Sequence, residues 1–464
     1  MRRKLSEISP VATSHGVGLK RVLLSSNESD CSLTQIAVTE LKRGDVAVAH
    51  VHADMQEGFY VLEGELDVVL NGEVQHCVAD DFVYVKCCTN HELRATTDCR
   101  IMTIGCVIEA SRNKLYPMLF KPNHKTLVWG TEDWAVSTVP GSVCEVENGT
   151  WARYKLDDVI AKMPEAILGK AAVKQYHQRG ETVISRLPLL AKIITAHQDL
   201  SIQVHPDDEM ARREHGKLGK SEMWYVIDAE PGSYLYAGFN RNVTPEEIRQ
   251  LTSTEQADDT TEKTKKDGQA KSLADVLAKH EVHPGDVFYL PAGRVHAICG
   301  GITLAEVQQA SDVTYRLFDY NRLGLDGKPR ALHTALAVQA LDYTVYPEYR
   351  TQHHEETGMI DRVLDTPHFS VAILETRENF HRNLLKYDSF IIVMCLKNNC
   401  CIRTRTTKDM VELREGQSCL IPAAIADYEI VPLDRDHGVK VLETYINNRR
   451  TFKNFISNFW HSTR

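Results

Sequence analysis

The 464-residue chain carries 54 Lys and Arg against 63 Asp and Glu, a formal net charge of −9 with His neutral. With 43% hydrophobic and 25% charged residues it has the composition of an ordinary globular protein, which excludes disorder as the main state, and its length predicts two to four domains. The acidic balance, without any arginine-rich block, argues against a nucleic-acid partner and leaves small molecules as the expected ligands. The opening MRRKLSEISPVATSHGVG has no apolar stretch of signal-peptide length, and no membrane-length apolar run follows. The chain is therefore expected to be cytoplasmic, with no membrane association. Its 12 Cys include the adjacent pairs Cys87, Cys88 and Cys400, Cys401 but no C-x-x-C spacing, so free thiols in a reducing compartment are expected.

Residues 21–108 divide into short strand-length apolar runs, FYVLEG at 59–64, LDVVL at 66–70 and DFVYV at 81–85, separated by turns such as Asn71-Gly72. The stretch 109–128, with Pro117 and Pro122 and little periodicity, is expected to be a connector. A second strand-rich region runs from about 180 to 240. It is interrupted at about 244–282 by a helical and polar stretch that opens on Thr244-Pro245-Glu246-Glu247, a helix start by its cap, its Pro and its acidic first turn. Within it, TSTEQADDTTEKTKKDGQAK at 252–271 has too few apolar residues to offset its ordering entropy and is expected to be a mobile surface insertion. Strands resume at 286–308. A third block, 368–446, alternates FSVAILE, SFIIVMC, SCLIP and VKVLETYI with turns, and NNRRTFKNFISNFWHSTR closes the chain as a docking helix or a frayed tail. Many short strands with regular turns predict closed barrels or sandwiches.

One skeleton recurs in all three blocks. The middle block has Gly285-x5-Pro291-x-Gly293-x2-His296. The third has Gly416-x5-Pro422, with Ala424 and Asp427 where the second Gly and the His would stand. The first has Gly44-x5-His50-x-His52-x4-Glu57-x6-Gly64, followed by a degraded second half in which Asp80, Lys86 and Cys88 replace Gly, Pro and Gly. These patterns resemble the two motifs of the cupins, small jelly-roll β-barrels. The fold expected is therefore mainly β, with three cupin domains and a helical insertion in the middle region. Because alternate residues of a strand share a face, His50 and His52 point into the first barrel, Glu57 closes the same site, and His91 is the candidate fourth ligand. Two imidazoles and a carboxylate suit zinc, iron, manganese or nickel. The alternative is a barrel whose polar residues hold no metal.

In LSIQVHPDD at 200–208, Ser201, Gln203 and His205 share one strand face and Ile202 and Val204 the other. Lys220 and Glu222 share a face in GKSEMWYVIDAEPG, and the PAGRVHAI turn delivers His296. Gln203, His205, Glu222 and His296 form an adequate four-donor set for zinc. The segments QDLSIQVHPDDEMA, GKSEMWYVIDAEPG, FYLPAGRVHAICGGITLAEVQQASDVTYRLFDYNR and PLLAKII resemble type I mannose-6-phosphate isomerases, particularly their short bacterial branch, over roughly residues 113–446. The resemblance implies one zinc ion on Gln203, His205, Glu222 and His296 and an active-site arginine at Arg316. It also places Ser201, Lys220, Glu306, Asp312 and Arg322 in the pocket.

The activity implied is interconversion of mannose 6-phosphate and fructose 6-phosphate through an enediol. Arg316 would stabilise developing charge, Arg322 with Ser201 would hold the phosphate, and Lys220 would shuttle the proton, its pKa lowered by the ion, with Glu306 and Asp312 as competitors. Two alternatives stay open: a non-catalytic sugar-binding regulator, and an isomerase of another aldose phosphate. The expected domains are a tail (1–20), an N-terminal cupin (21–112) with a second divalent metal, the catalytic cupin (113–345), a C-terminal cupin without metal (346–446) and a tail (447–464).

Overall fold

Runs that alternate apolar and polar residues form strands with one face to bury, and such strands dominate the computed structural model of the chain. It describes residues 2–13, 15–28, 33–52, 55–107, 114–256 and 272–448, which fall into two compact units, 1–114 and 115–464. Among the described residues no helix is long and apolar enough to cross a membrane.

The N-terminal unit has two antiparallel sheets. One orders its strands Val11–Ala12, Leu19–Ser25, Leu33–Leu41, Cys99–Val107, Met55–Glu63 and Phe82–Val85, and the other Val46–His50, His91–Ala95, Glu65–Leu70 and Glu73–Val78. Leu66 and Val68 of the smaller sheet meet Phe59, Val61 and Ile101 of the larger in a single core. Asn71 and Gly72 both take positive φ, 49° and 93°. They close a two-residue hairpin with Leu70 opposite Glu73, the geometry that an Asn-Gly turn favours.

The second unit holds two further sandwiches. In the middle one, a six-stranded sheet (Asn123–Leu127, Gly130–Val136, Leu189–Ala196, Ile302–Gln309, Glu222–Ala229, Val287–Leu290) faces a five-stranded sheet (Leu277–Glu281, Tyr234–Phe239, His296–Ile298, Ile202–Val204, Tyr315–Phe318). In the C-terminal one, a seven-stranded sheet built around Ile391–Lys397 and Val439–Tyr445 faces four strands, Phe380–Asn383, Asp427–Pro432, Cys400–Thr404 and Met410–Leu413. A core cluster containing Trp151, Val287, Phe369, Phe390 and Leu420 runs through both.

The expected connector is not one where it is described. Met118–Lys121 joins the C-terminal seven-stranded sheet, Met118 opposite Leu420, and Asn123–Leu127 edges the middle sandwich. Pro117 and Pro122 merely bracket the first of these strands, where no ladder N–H is needed.

Three short helices that the sequence reading did not foresee follow, Leu156–Lys162, Pro164–Leu168 and Lys170–Gln178. The first buries Leu156, Val159 and Ile160 at helical spacing. The last is capped from far away, since Asp388 Oδ1 and Oδ2 accept from the backbone N–H groups of Lys170 and Ala171 at 3.2 and 2.9 Å. The expected helix start holds: Pro245–Gln256 is a helix, and Thr244 Oγ1 accepts from Glu247 N at 3.1 Å. The far end of that region is not helical, because Leu277–Glu281 is a strand paired with Tyr234–Phe239. Residues 257–271 of the expected mobile insertion and 449–464 of the tail lie outside the described residues.

Candidate active site

The middle sandwich brings its sequence-marked donors together through register. Gln203 pairs with His296 on one side and with Arg316 on the other, so three adjacent strands present these side chains in one row. Glu222 opens its strand in the facing sheet. His205, Glu222 and His296 offer ligand atoms within 4.8 Å of one another, all from buried residues. The turn that delivers His296 needs its glycine. Gly293 has φ 90°, a Cβ there would lie 3.0 Å from Ala340 O, and its N–H is used by His205 O at 2.9 Å.

The hydrogen bonds fix which ring atoms face the centre. His205 Nδ1 lies 2.9 Å from Val313 O and His296 Nδ1 2.9 Å from Arg294 O. A carbonyl only accepts, so each Nδ1 carries the proton and each Nε2 turns a lone pair inward. Burial lowers the pKa of both rings, that of His205 to about 4 with Lys220 adding to the effect. Both are therefore neutral at pH 7. Their Nε2 atoms stand 3.4 and 3.2 Å from Glu222 oxygens, acceptor facing acceptor. Burial would push the Glu222 carboxyl up, but Lys220, His205 and His296 hold it well below the usual carboxylate range. Glu222 Oε1 has no hydrogen-bond donor. This buried group of lone pairs has the donor chemistry of a metal centre. Lys220 supplies part of the missing positive charge, its Nζ donating to Glu222 Oε2 at 2.5 Å and to His205 Nε2 at 3.0 Å. The Gln203 amide sits with Nε2 3.2 Å from His296 Nε2 and accepts from Ser201 Oγ through Oε1 at 3.2 Å. A half-turn of its amide aims the oxygen at the centre instead.

A cavity of about 150 Å³ adjoins this group. Ser201, Gln203, Lys220, Glu306 and Arg316, all marked in the sequence, line it. Of the substrate-pocket residues marked in the sequence, Asp312 and Arg322 do not. Asp312 is exposed and paired with Lys217 at 2.5 Å, ahead of the strand that carries Arg316. Arg322 is held by Asp319 at 2.8 Å. Arg330 lines the cavity where Arg322 was expected and shares the same Asp319. Burial, then the neighbouring Arg330, lowers the pKa of Arg316. Arg316 Nε has no partner.

Lys192, Glu132 and Trp224 were also missed. The residues Trp134, Lys192, Glu306 and Trp224 lie opposite one another across four strands. Lys192 Nζ lies 2.9 Å from Glu306 Oε1 and 3.5 Å from Glu132 Oε1, while the two indoles donate to the remaining oxygens, Trp224 to Glu306 at 2.9 Å and Trp134 to Glu132 at 2.6 Å. The signal available was a single Lys inside LLAKIITA, an otherwise apolar strand. A charge there is affordable only when paired.

In the N-terminal unit, His50, His52, Glu57 and His91 also converge, with ligand atoms within 4.8 Å of one another. The C-terminal sandwich instead fills its interior with Arg382, Glu443 and Tyr428: Arg382 donates through Nε and Nη2 to Glu443 Oε2 at 2.8 and 2.6 Å, and Tyr428 Oη to Glu443 Oε1 at 2.6 Å.

A jelly-roll sandwich with two imidazoles, a carboxylate and an amide converging inside it is a cupin with a candidate metal centre. A cupin domain model matches residues 37–105, and the model of the phosphomannose isomerase type I catalytic domain matches 116–234. "Mannose-6-phosphate isomerase ManA" of Bacillus subtilis (strain 168) is 29% identical over 333 residues, 68% of this chain and 95% of that protein. "Probable mannose-6-phosphate isomerase GmuF" of the same organism is 31% identical over 333 residues, 68% and 96% of the two chains. The crystal structure of a mannose 6-phosphate isomerase from Bacillus subtilis superimposes with a TM-score of 0.59 at 26% identity, covering 71% of this chain and 99% of that one. The chain belongs to the type I phosphomannose isomerase family of aldose–ketose isomerases.

Proposed function

We propose that the chain interconverts mannose 6-phosphate and fructose 6-phosphate in the cavity of the middle sandwich, with one zinc ion held by Gln203, His205, Glu222 and His296. The observation that carries this reading is the adjacency of the metal-type donor set to a cavity lined by Gln203, Lys220, Lys192, Arg316 and Arg330. An acidic chain thereby offers a local cationic site to an anionic sugar. When bound, zinc supplies Lewis-acid stabilisation of negative charge on the sugar oxygens.

The residues of the chain do the rest. Aldose–ketose interconversion moves a proton between C1 and C2 through an enediol. Lys220 is placed to carry it, because its Nζ reaches the centre of the donor set. Glu306 accepts from Trp224 through Oε2, while its Oε1 lies 2.9 Å from Lys192 Nζ and 3.8 Å from Lys220 Nζ without a hydrogen-bond donor, which keeps it as the competitor of Lys220 for the proton. Arg316 opposes charge that grows on the sugar. Arg330, held by Asp319, offers the phosphate a planar donor fork. Ser201, half-engaged by Gln203, adds a hydroxyl.

The test is a coupled assay for fructose 6-phosphate formation from mannose 6-phosphate, on zinc-loaded protein. Turnover that His296→Ala and Lys220→Met each reduce by 100-fold or more supports the reading. Turnover by wild type no faster than by His296→Ala refutes it and favours a sugar-binding regulator, and turnover confined to another aldose phosphate refutes the substrate assignment.

A further inference from the structure

We propose that His333 is a positioning residue for Arg316, gripping its peptide from the open edge of the sheet so that the guanidinium stays in the cavity. The inference rests on the reading of Arg316 as the group that opposes charge on the sugar. The strand Tyr315–Phe318 has four residues and ends the five-stranded sheet, with Ile202–Val204 as its neighbour. Its register with that neighbour is broken between Ile202 and Gln203. So short and irregular a ladder fixes register weakly. The choice of face matters, because Arg316 lines the cavity while Tyr315 and Leu317 pack into an apolar core with Ala337 and Val338. A slip of one residue would drive the arginine into that core.

His333 supplies what a further strand would. Its backbone N–H donates to Arg316 O at 2.8 Å, and its ring Nδ1 accepts from Arg316 N at 3.3 Å. A backbone N–H only donates, so Nδ1 holds a lone pair and the ring proton sits on Nε2. Burial, then Arg316 and His215, lowers the pKa of the ring, which favours the neutral form that this contact needs. The half-buried ring lies beside Tyr315, centroids 6.2 Å apart, and Tyr315 Oη is 2.8 Å from His215 Nε2. His333 is itself anchored, since its carbonyl accepts from Ala337 N at 2.8 Å at the start of helix Thr334–Ala340. Past the other end of this helix, Asp342 N donates to Gly293 O at 2.8 Å, in the turn that delivers His296. One helix thus braces both the arginine and a member of the metal-type donor set. Arg330 is held separately by Asp319, so loss of the His333 grip should disturb Arg316 more than the group offered to the phosphate.

The test uses the full zinc-loaded chain and three variants, His333→Ala, His333→Asn and His333→Gln. Asn presents its amide oxygen where His carries Nδ1, whereas Gln presents its polar end where His carries Nε2. Hydrogen exchange at the Arg316 amide, read against the core strand Ile302–Gln309 as a control for global opening, reports the grip without reference to activity. Exchange is expected to quicken ten-fold or more in His333→Ala and His333→Gln and to return to within three-fold of wild type in His333→Asn. In the mannose 6-phosphate assay the same two variants should lose ten-fold or more in kcat with KM changed less than three-fold, and His333→Asn should recover most of the rate. The Asn and Gln variants keep the test decisive where His333→Ala does not fold. Arg316 exchange that is the same in wild type, His333→Ala and His333→Gln overturns the grip. A rate restored by Gln as well as by Asn, or a loss that falls on KM instead of kcat, overturns the positioning role. Wild type that shows the expected exchange pattern without turnover refutes the isomerase reading and supports the grip.

Discussion

Lys192→Met isolates the electrostatic design of the cavity wall. The ammonium lies 2.9 Å from Glu306 and 3.5 Å from Glu132 in a residue only 6% exposed. At an effective dielectric of about 20, each contact is worth about 5 kcal/mol of Coulomb energy. Desolvation of the ammonium removes several kcal/mol of that sum, and the indole donors remain in place after the substitution. Removing one partner of a buried ionic group typically costs about 3–5 kcal/mol, and about 4 kcal/mol is expected here at pH 7.5. With a urea m-value of about 2–3 kcal/mol/M, the midpoint falls by roughly 1–2 M.

The pH dependence identifies the cause. Burial pushes the Glu132 carboxyl up, and Lys192 is the leading group that holds it down. Without Lys192 its folded pKa rises above the unfolded value of about 4.3. The variant then takes up a proton on folding as pH falls, so the penalty shrinks between pH 7.5 and pH 5. Lys192→Met/Glu132→Gln is expected to recover about 1–2 kcal/mol, a coupling expected of groups in contact. Urea unfolding followed by tryptophan fluorescence, at matched zinc occupancy, measures both effects. A loss below about 1 kcal/mol that does not vary with pH would refute the argument.

Four further outcomes are expected. Gly293→Ala forces a Cβ to 3.0 Å from Ala340 O at φ 90°, so it should cost about 1–3 kcal/mol and lower zinc affinity by displacing His296, both readable by urea unfolding and zinc titration. Burial raises the Asp319 carboxyl, but hydrogen bonds from Arg330 and Arg322 lower it further than that, so its stabilisation is complete above the unfolded pKa of about 3.9 and fades as pH falls through the folded value; the gap in urea midpoint between wild type and Asp319→Asn should narrow from pH 6 to pH 3.5. Glu443→Ala leaves the guanidinium of Arg382 buried and unpaired and should cost about 3–5 kcal/mol, while Arg382→Met/Glu443→Leu should cost less by the same urea assay. Asp388→Ala removes the remote cap of Lys170–Gln178 and should cost about 1 kcal/mol, measured as a fall in the thermal midpoint.

What the sequence displays depends on whether a residue's partner is local. Ser201, Gln203, His205, Lys220 and Glu222 were legible because strand alternation alone puts them on shared faces, and His296 because a Pro/Gly turn announces it. Lys192 gave only the anomaly of one charge in an apolar strand, since Glu132 and Glu306 reach it through pairings that no local pattern encodes. Arg330 sits in a polar loop without periodicity, so Arg322, nearer the recognisable segment, took its place in the reading. Among the helices, Pro245–Gln256 carries its own cap, whereas Lys170–Gln178 takes its cap from Asp388, 218 residues from Lys170.

The pairing of Met118 with Leu420 makes the order of synthesis matter. At about 5–20 residues per second, some 15–60 s separate the emergence of these two positions from the ribosome. During that time the strand of Met118 and Phe120, both buried in the finished protein, has only the two-residue strand Glu145–Val146 to pair with. The middle sandwich cannot complete the core it shares with its neighbour until nearly the whole chain is made. Truncation anywhere before residue 418 leaves that apolar edge without its partner Ser418–Ile421.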